Sequence, residues 1–121
     1  MKRDRHFLSL AIFIANTRNL ARMLRIVANE HRLRILCRLA AGKEELSIEE
    51  LADGNQIGQS AFSQHLTRLR KGNLIVGRRA GRNILYRLAD PRVLQLASSL
   101  QKILKFRRPI GDAIQPRSEW R

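Results

Sequence analysis

Apolar residues recur along this chain with a helical period, switch to alternation over one short stretch, and then return to the helical period. Leu20, Met23, Leu24 and Val27 fall at i, i+3, i+4 and i+7 and predict a helix from Thr17 to Ala28, which the residues Phe7 to Ala15 are placed to extend backwards. A second helix is predicted over His31 to Ala41, with Asn29 as its N-cap and Gly42 as its stop. Leu33, Leu36 and Ala40 form its expected core face, widened by Ile35 and Leu39. In Ser47-Ile48-Glu49-Glu50 a serine precedes a glutamate by three positions, the signature of a capping box. It opens a short third helix that buries Leu51 and Ala52 and ends at Gly54-Asn55. A fourth helix fits Gln59 to Lys71, after Gly58 as N-cap, with Phe62, Leu66 and Leu69 as its apolar positions and Gly72-Asn73 as its close.

The period then changes. Leu74 and Val76, and later Ile84, Tyr86 and Leu88, alternate with polar or exposed positions, as strands do. The turn between them, Arg79 to Asn83, has Gly81 at its centre, and the whole reads as a β-hairpin. Asp90-Pro91 supplies an N-cap followed by proline at the first helical position. Val93, Leu96, Ala97, Leu100, Ile103 and Leu104 make the stripe of that last helix. The tail 106–121 holds two prolines and no period, and is expected to be mostly disordered, with Trp120 able to pack. The expected architecture is mainly α with a small β-hairpin, in the order α-α-α-α-β-β-α. Residues 1–16 form a helical extension and residues 17–105 the folded domain.

A short helix joined by a glycine-containing turn to a polar-faced helix is the helix-turn-helix pattern, and the hairpin behind it is placed as a wing. The charge distribution gives that pattern a partner. The 121-residue chain carries a net charge of +14. Glu44, Glu45, Glu49, Glu50 and Asp53 crowd into one short stretch, whereas Gly54 to Ala89 holds no acid at all. That second stretch carries Arg68, Arg70, Lys71, Arg78, Arg79, Arg82 and Arg87. A run of one sign on a folded domain reads as a footprint for phosphates.

The fourth helix then divides into two roles. Phe62, Leu66 and Leu69 anchor it, while its N-terminal half is expected to present Gln59, Ser60, Ser63, Gln64 and His65, side chains able to exchange hydrogen bonds with base edges, with Arg68 one turn further on. Arg70 and Lys71, together with Arg78, Arg79, Arg82 and Asn83 of the wing, are placed for phosphates or the minor groove. The partner is double-stranded DNA.

These strings resemble the ArsR/SmtB family of small winged helix-turn-helix repressors. The resemblance rests on VANEHRLRILCRL (27–39), LSIEELA (46–52), IGQSAFSQHLTRLRKGNLI (57–75) and GRRAGRNILYRLADPRVL (77–94). It implies a homodimer held by the first and last helices, which reads an imperfect inverted repeat and leaves DNA when a signal is sensed. Leu20, Met23, Leu24, Val27, Leu96, Leu100 and Ile103 are the expected dimer-interface residues. The chain departs from the family's metal sensors. Where the best-known site has Cys-x-Cys-Asp, this sequence has Ser47, Glu49 and Glu50, and serine is no donor for a thiophilic metal. Asp90 opens the last helix without a histidine on it, and His6, His31 and His65 are scattered, so no metal and no cofactor is expected. Cys37 matches the first cysteine of a redox-sensing branch, but the second is absent; it is a candidate sensor set against the plainer reading of a buried core residue.

Other classes fare worse. No nucleophile elbow, phosphate loop or metal motif is present, so an enzyme is not expected. The lone cysteine excludes an intramolecular disulfide and suits a reducing cytoplasm, with the nucleoid as the place of work. The basic lead and apolar run 7–15 resemble a signal peptide, but Asn16-Thr17-Arg18-Asn19 lacks the small-residue cleavage pattern, and the run is far shorter than a membrane span. No membrane partner is expected. The strongest rival is an architectural protein that binds nucleic acid through charge alone.

Overall fold

In the computed structural model the described residues are 2–42, 44–54 and 56–105, with side chains from residue 9 onward. They form α1 (Lys2–Val27), α2 (Glu30–Ala41), β1 (Leu46–Ser47), α3 (Ile48–Ala52), α4 (Gln59–Lys71), β2 (Ile75–Ala80), β3 (Asn83–Leu88) and α5 (Pro91–Leu104). The expected disorder of 106–121 lies outside the described residues.

Local chemistry sets most of the boundaries. Asn29 adopts an extended conformation and its side chain accepts from the amides of His31 and Arg32, which starts α2. The capping box is present in full: the Ser47 hydroxyl accepts from the Glu50 amide, and the Glu50 carboxylate accepts from the Ser47 amide. Asp90 caps α5 by accepting from the amides of Arg92 and Val93, with Pro91 behind it. At the end of α4 the left-handed residue is Asn73, at φ 61°, and not Gly72. Gly72 serves a different need, because a Cβ there would collide with Ile26 of α1. Glycine thus lets α1 cross close over the end of α4.

The expected hairpin is present, and the sheet adds to it a third strand that the sequence did not show. β2 and β3 pair antiparallel from Ile75↔Leu88 to Ala80↔Asn83, around a two-residue loop that begins with Gly81 at φ 65°. β1 adds a third strand on the other side of β3, with Leu46 opposite Tyr86 and Ser47 opposite Leu85. Two residues are too few to show a period, so this strand exists only as a pairing. The alternation also shifts: Leu74 and Ile75 are buried at the start of β2, while Ile84 is 42% exposed. The wing beyond Tyr86 stands clear of the core, so its apolar positions need no cover from this chain.

One core unites the elements from the end of α1 onward. Ile35, Leu36 and Leu39 of α2, Leu51 of α3, Phe62, Leu66 and Leu69 of α4, Leu74, Ile75, Tyr86, and Val93 and Ala97 of α5 are buried together. α2 is the central element, packed against α4 and α5. α1 runs as one continuous helix from Lys2 to Val27, yet every described residue from Ser9 to Leu20 is exposed.

Candidate nucleic-acid interface

Helix α4 has two faces of opposite chemistry. Phe62, Leu66 and Leu69 are at most 3% exposed and seat the helix on the core. Gln59, Ser60, Ser63, Gln64 and Arg68 are exposed. Their spacing sets Gln59 beside Ser63 and Ser60 beside Gln64 and Arg68, in two adjoining rows on one side of the helix. The structure therefore brings the expected base-reading residues together on a rigid element. Arg70 and Lys71 are exposed in its last turn.

His65 is placed differently from its neighbours. It is half-buried, its Nδ1 lies 3.2 Å from Nη1 of Arg32, and its ring centroid is 5.2 Å from that of His31. Burial, then the charge of Arg32 and then His31, push its pKa below the usual imidazole value. Arg32 also donates through Nε to the carbonyl of Ile26, which ties α2 to the end of α1. Nδ1 of His31 is buried with no hydrogen-bond partner among the described residues. His65 is accordingly fixed by α2 as well as carried by α4. Arg32 was not among the site residues expected from the sequence, and His31 and His65, expected to be scattered, are instead in ring contact; no spacing links positions so far apart.

The wing carries its cations in two states. Arg79, Arg82 and Asn83 are exposed. Arg78 is held by Glu45 through a two-pronged ion pair: Nε lies 2.6 Å from Oε2 and Nη2 lies 2.8 Å from Oε1. The hydrogen bond from Arg78 holds the Glu45 carboxyl below its usual range, with Arg78 and Arg87 adding charge attraction. Glu45 was legible only as one of an acidic run; its reach to the wing was not.

The expected dimer residues separate by depth. Leu20, Leu24 and Ile103 are 49%, 43% and 42% exposed, while Met23, Leu96 and Leu100 are partly buried against the core. Val27 is corrected: at 4% exposure it belongs to the protomer's own core, because α1 turns into the body at its C-terminal end. Cys37 is buried on α2, burial pushes its thiol pKa up, and its carbonyl accepts from Gln101 at 3.0 Å. It lines a cleft of about 370 Å³ with Arg34, Arg38 and Gln101 among its walls. Among the described residues no three His, Cys, Asp or Glu side chains converge, and no helix is long and apolar enough to cross a membrane.

Comparison with known proteins decides the family. A helix-turn-helix domain family matches residues 27–78. The transcriptional activator HlyU of Vibrio cholerae is 37% identical over 81 residues, which is 67% of this chain and 73% of that protein. The chain belongs to the ArsR/SmtB family of winged helix-turn-helix transcriptional regulators. The reduced HlyU structure superposes with a TM-score of 0.70 at 33% identity, covering 78% of this chain and 97% of HlyU. A SmtB-homologous transcriptional repressor of Synechocystis is 38% identical over 77 residues, 64% of this chain and 57% of that protein. The solution structure of the homodimeric winged helix-turn-helix domain of Mb0332 from Mycobacterium bovis, described as a possible ArsR-family regulator, gives a TM-score of 0.64 at 32% identity, covering 75% of this chain and 82% of that one. The family is one of regulators and not of enzymes.

Proposed function

We propose that this protein is a repressor that binds an inverted-repeat operator in double-stranded DNA as a homodimer, in the bacterial cytoplasm at the nucleoid. The observation that carries the reading is the face of α4. Gln59, Ser60, Ser63 and Gln64 are exposed together on a helix whose other side is locked into the core, within a stretch that holds no acid. Short hydroxyl and amide side chains on a fixed helix are what major-groove readout requires. Arg68, Arg70, Lys71, Arg79, Arg82 and Asn83 supply the backbone contacts, and His65 is steered by Arg32. Arg78, expected from the sequence in the same set, has its guanidinium engaged by Glu45.

Exposed Leu20, Leu24 and Ile103 support the dimer, with Met23, Leu96 and Leu100 beneath them. A two-fold dimer presents two recognition helices to two half-sites, hence the inverted repeat. Repression is the expected sign, since a dimer seated on an operator blocks what lies beneath it. Cys37 acts as core filler: a buried thiol with a raised pKa is a poor nucleophile.

The test is fluorescence anisotropy with duplexes from the protein's own upstream region against scrambled competitors, at ~0.15 M salt, where weak charge binding fades. Preference for the upstream duplex by ~10³ or more supports the regulator. Equal binding of all duplexes that collapses with salt would replace it with the architectural reading. Oxidant treatment is expected to leave binding unchanged; loss of binding would make Cys37 a sensor.

A further inference from the structure

The acidic run before and within α3 divides by task. Glu50 closes the capping box and Glu49 lies in the same first turn beside the helix N-terminus, while Asp53 meets the other end through its backbone amide. Glu45 has no such local duty. It stands directly before β1, and its carboxylate meets the wing, with fork matched to fork at 2.6 and 2.8 Å. Arg78 lies in the row of Ser47 and Leu85, and Glu45, two residues before Ser47, falls by strand alternation on the same face of the sheet. β1 thereby delivers a carboxylate across β3 to the far strand of the wing.

Two planar oxygens on a guanidinium are also what a DNA phosphate offers. Among the described residues Arg78 is the wing arginine hydrogen-bonded to a carboxylate, Arg87 attracts the same carboxylate through charge, and Arg79 and Arg82 have no acidic partner. We propose that Glu45 is an internal substitute for phosphate, which keeps Arg78 out of contact with DNA and so lowers the affinity of the wing for duplexes of every sequence. The inference rests on the DNA-binding reading above and deepens it by naming a residue that weakens binding.

The physical case is one of competition. An exposed bidentate pair is pre-formed in one chain, so a phosphate must displace a partner held at high effective concentration. The pair is also better than an ordinary surface ion pair, because both prongs are short and Arg87 adds attraction for the same carboxylate. Phosphate contacts carry no sequence information, so the loss falls equally on operator and non-operator DNA. A regulator gains from this, since the acid-free surface would otherwise hold it on any duplex.

The experiment measures the salt dependence of binding for the full chain, Glu45→Gln and the double variant Glu45→Gln/Arg78→Ala, each on an upstream and a scrambled duplex. Glu45→Gln keeps the side-chain size, and a thermal melt of each variant confirms the fold. Freeing Arg78 adds one phosphate contact, so the slope of log K against log salt steepens by roughly 0.9, and binding tightens roughly fivefold at ~0.15 M on both duplexes. In the double variant that gain disappears. Equal slopes for Glu45→Gln and the parent, looser binding by Glu45→Gln, or a gain that survives Arg78→Ala would each overturn the proposal while leaving the DNA-binding reading intact. A parent that binds neither duplex would overturn both.

Discussion

Helix α4 and the first half of α1 both carry apolar residues, and the structure treats them in opposite ways. α4 buries Phe62, Leu66 and Leu69 almost completely, and what it leaves outside is polar. α1 from Ser9 to Leu20 buries nothing, and what it leaves outside includes Leu10, Ile12, Phe13, Ile14 and Leu20, at 47–65% exposure. The apolar requirement of α4 is met inside one protomer, so its free face is available to a polar partner. The requirement of α1 is not met inside one protomer, so its free face calls for an apolar one. A second copy of the chain is the partner that the proposed dimer supplies.

The contrast predicts a graded set of outcomes. Leu69→Ala, in the seat of α4, should cost about 2–5 kcal/mol of stability in a denaturant melt. Leu20→Ala, measured at a concentration low enough for monomer, should shift the same melt by less than about 0.5 kcal/mol. Similar losses at both sites would erase the distinction between the two helices. Leu20→Glu is expected next in size. It should weaken self-association roughly 30-fold or more, the ~2 kcal/mol of an interface hot spot, as read by sedimentation. Self-association at parental strength would remove α1 from the interface.

Gln64→Ala tests the other face. It should cost ~1–3 kcal/mol of affinity for the operator and relax sequence preference, with an unchanged melt. Intact affinity and preference would show that α4 is not the reading helix. Arg82→Ala should weaken all duplexes alike and flatten the salt slope by about one unit. A slope equal to the parent's would take Arg82 out of the phosphate set.

The smallest expected effect is on pH. His65 is held neutral in the fold, with its pKa below 6.5, the value it regains on unfolding. Between those two values the unfolded chain binds more protons, so stability rises with pH. Its contribution is complete above 6.5, falls as the pH drops through 6.5 towards the lower folded value, and levels off below that. His65→Gln should remove this limb from a plot of melting temperature against pH. An unchanged limb would assign it to another group.

Much of the site was legible before the structure. The capping box at Ser47, the Asn29 and Asp90 caps and the 62/66/69 stripe are local patterns, written within one or two helical turns, and each is realised. The exposed row from Gln59 to Arg68 follows from that stripe by helical geometry alone. β1 escaped notice because two residues carry no period, and the apolar positions of β2 shifted because burial there depends on what lies beneath. Val27 was expected at the dimer interface because its helix stripe is continuous, and periodicity cannot say where along a stripe the partner changes from the chain's own core to another molecule.

By itself, the sequence determined the helices, their caps, the hairpin turn, the clustering of positive charge and the polar face of α4, because each depends on residues a few positions apart. Only the tertiary structure decided that Arg32 and His31 hold His65, that Glu45 engages Arg78, and that α1 stands free of the body until its last turns. Those facts join side chains on distant parts of the chain, or leave most of a helix without cover from its own chain. Pairings across such distances are set by how the elements pack, and a one-dimensional period carries no record of that packing.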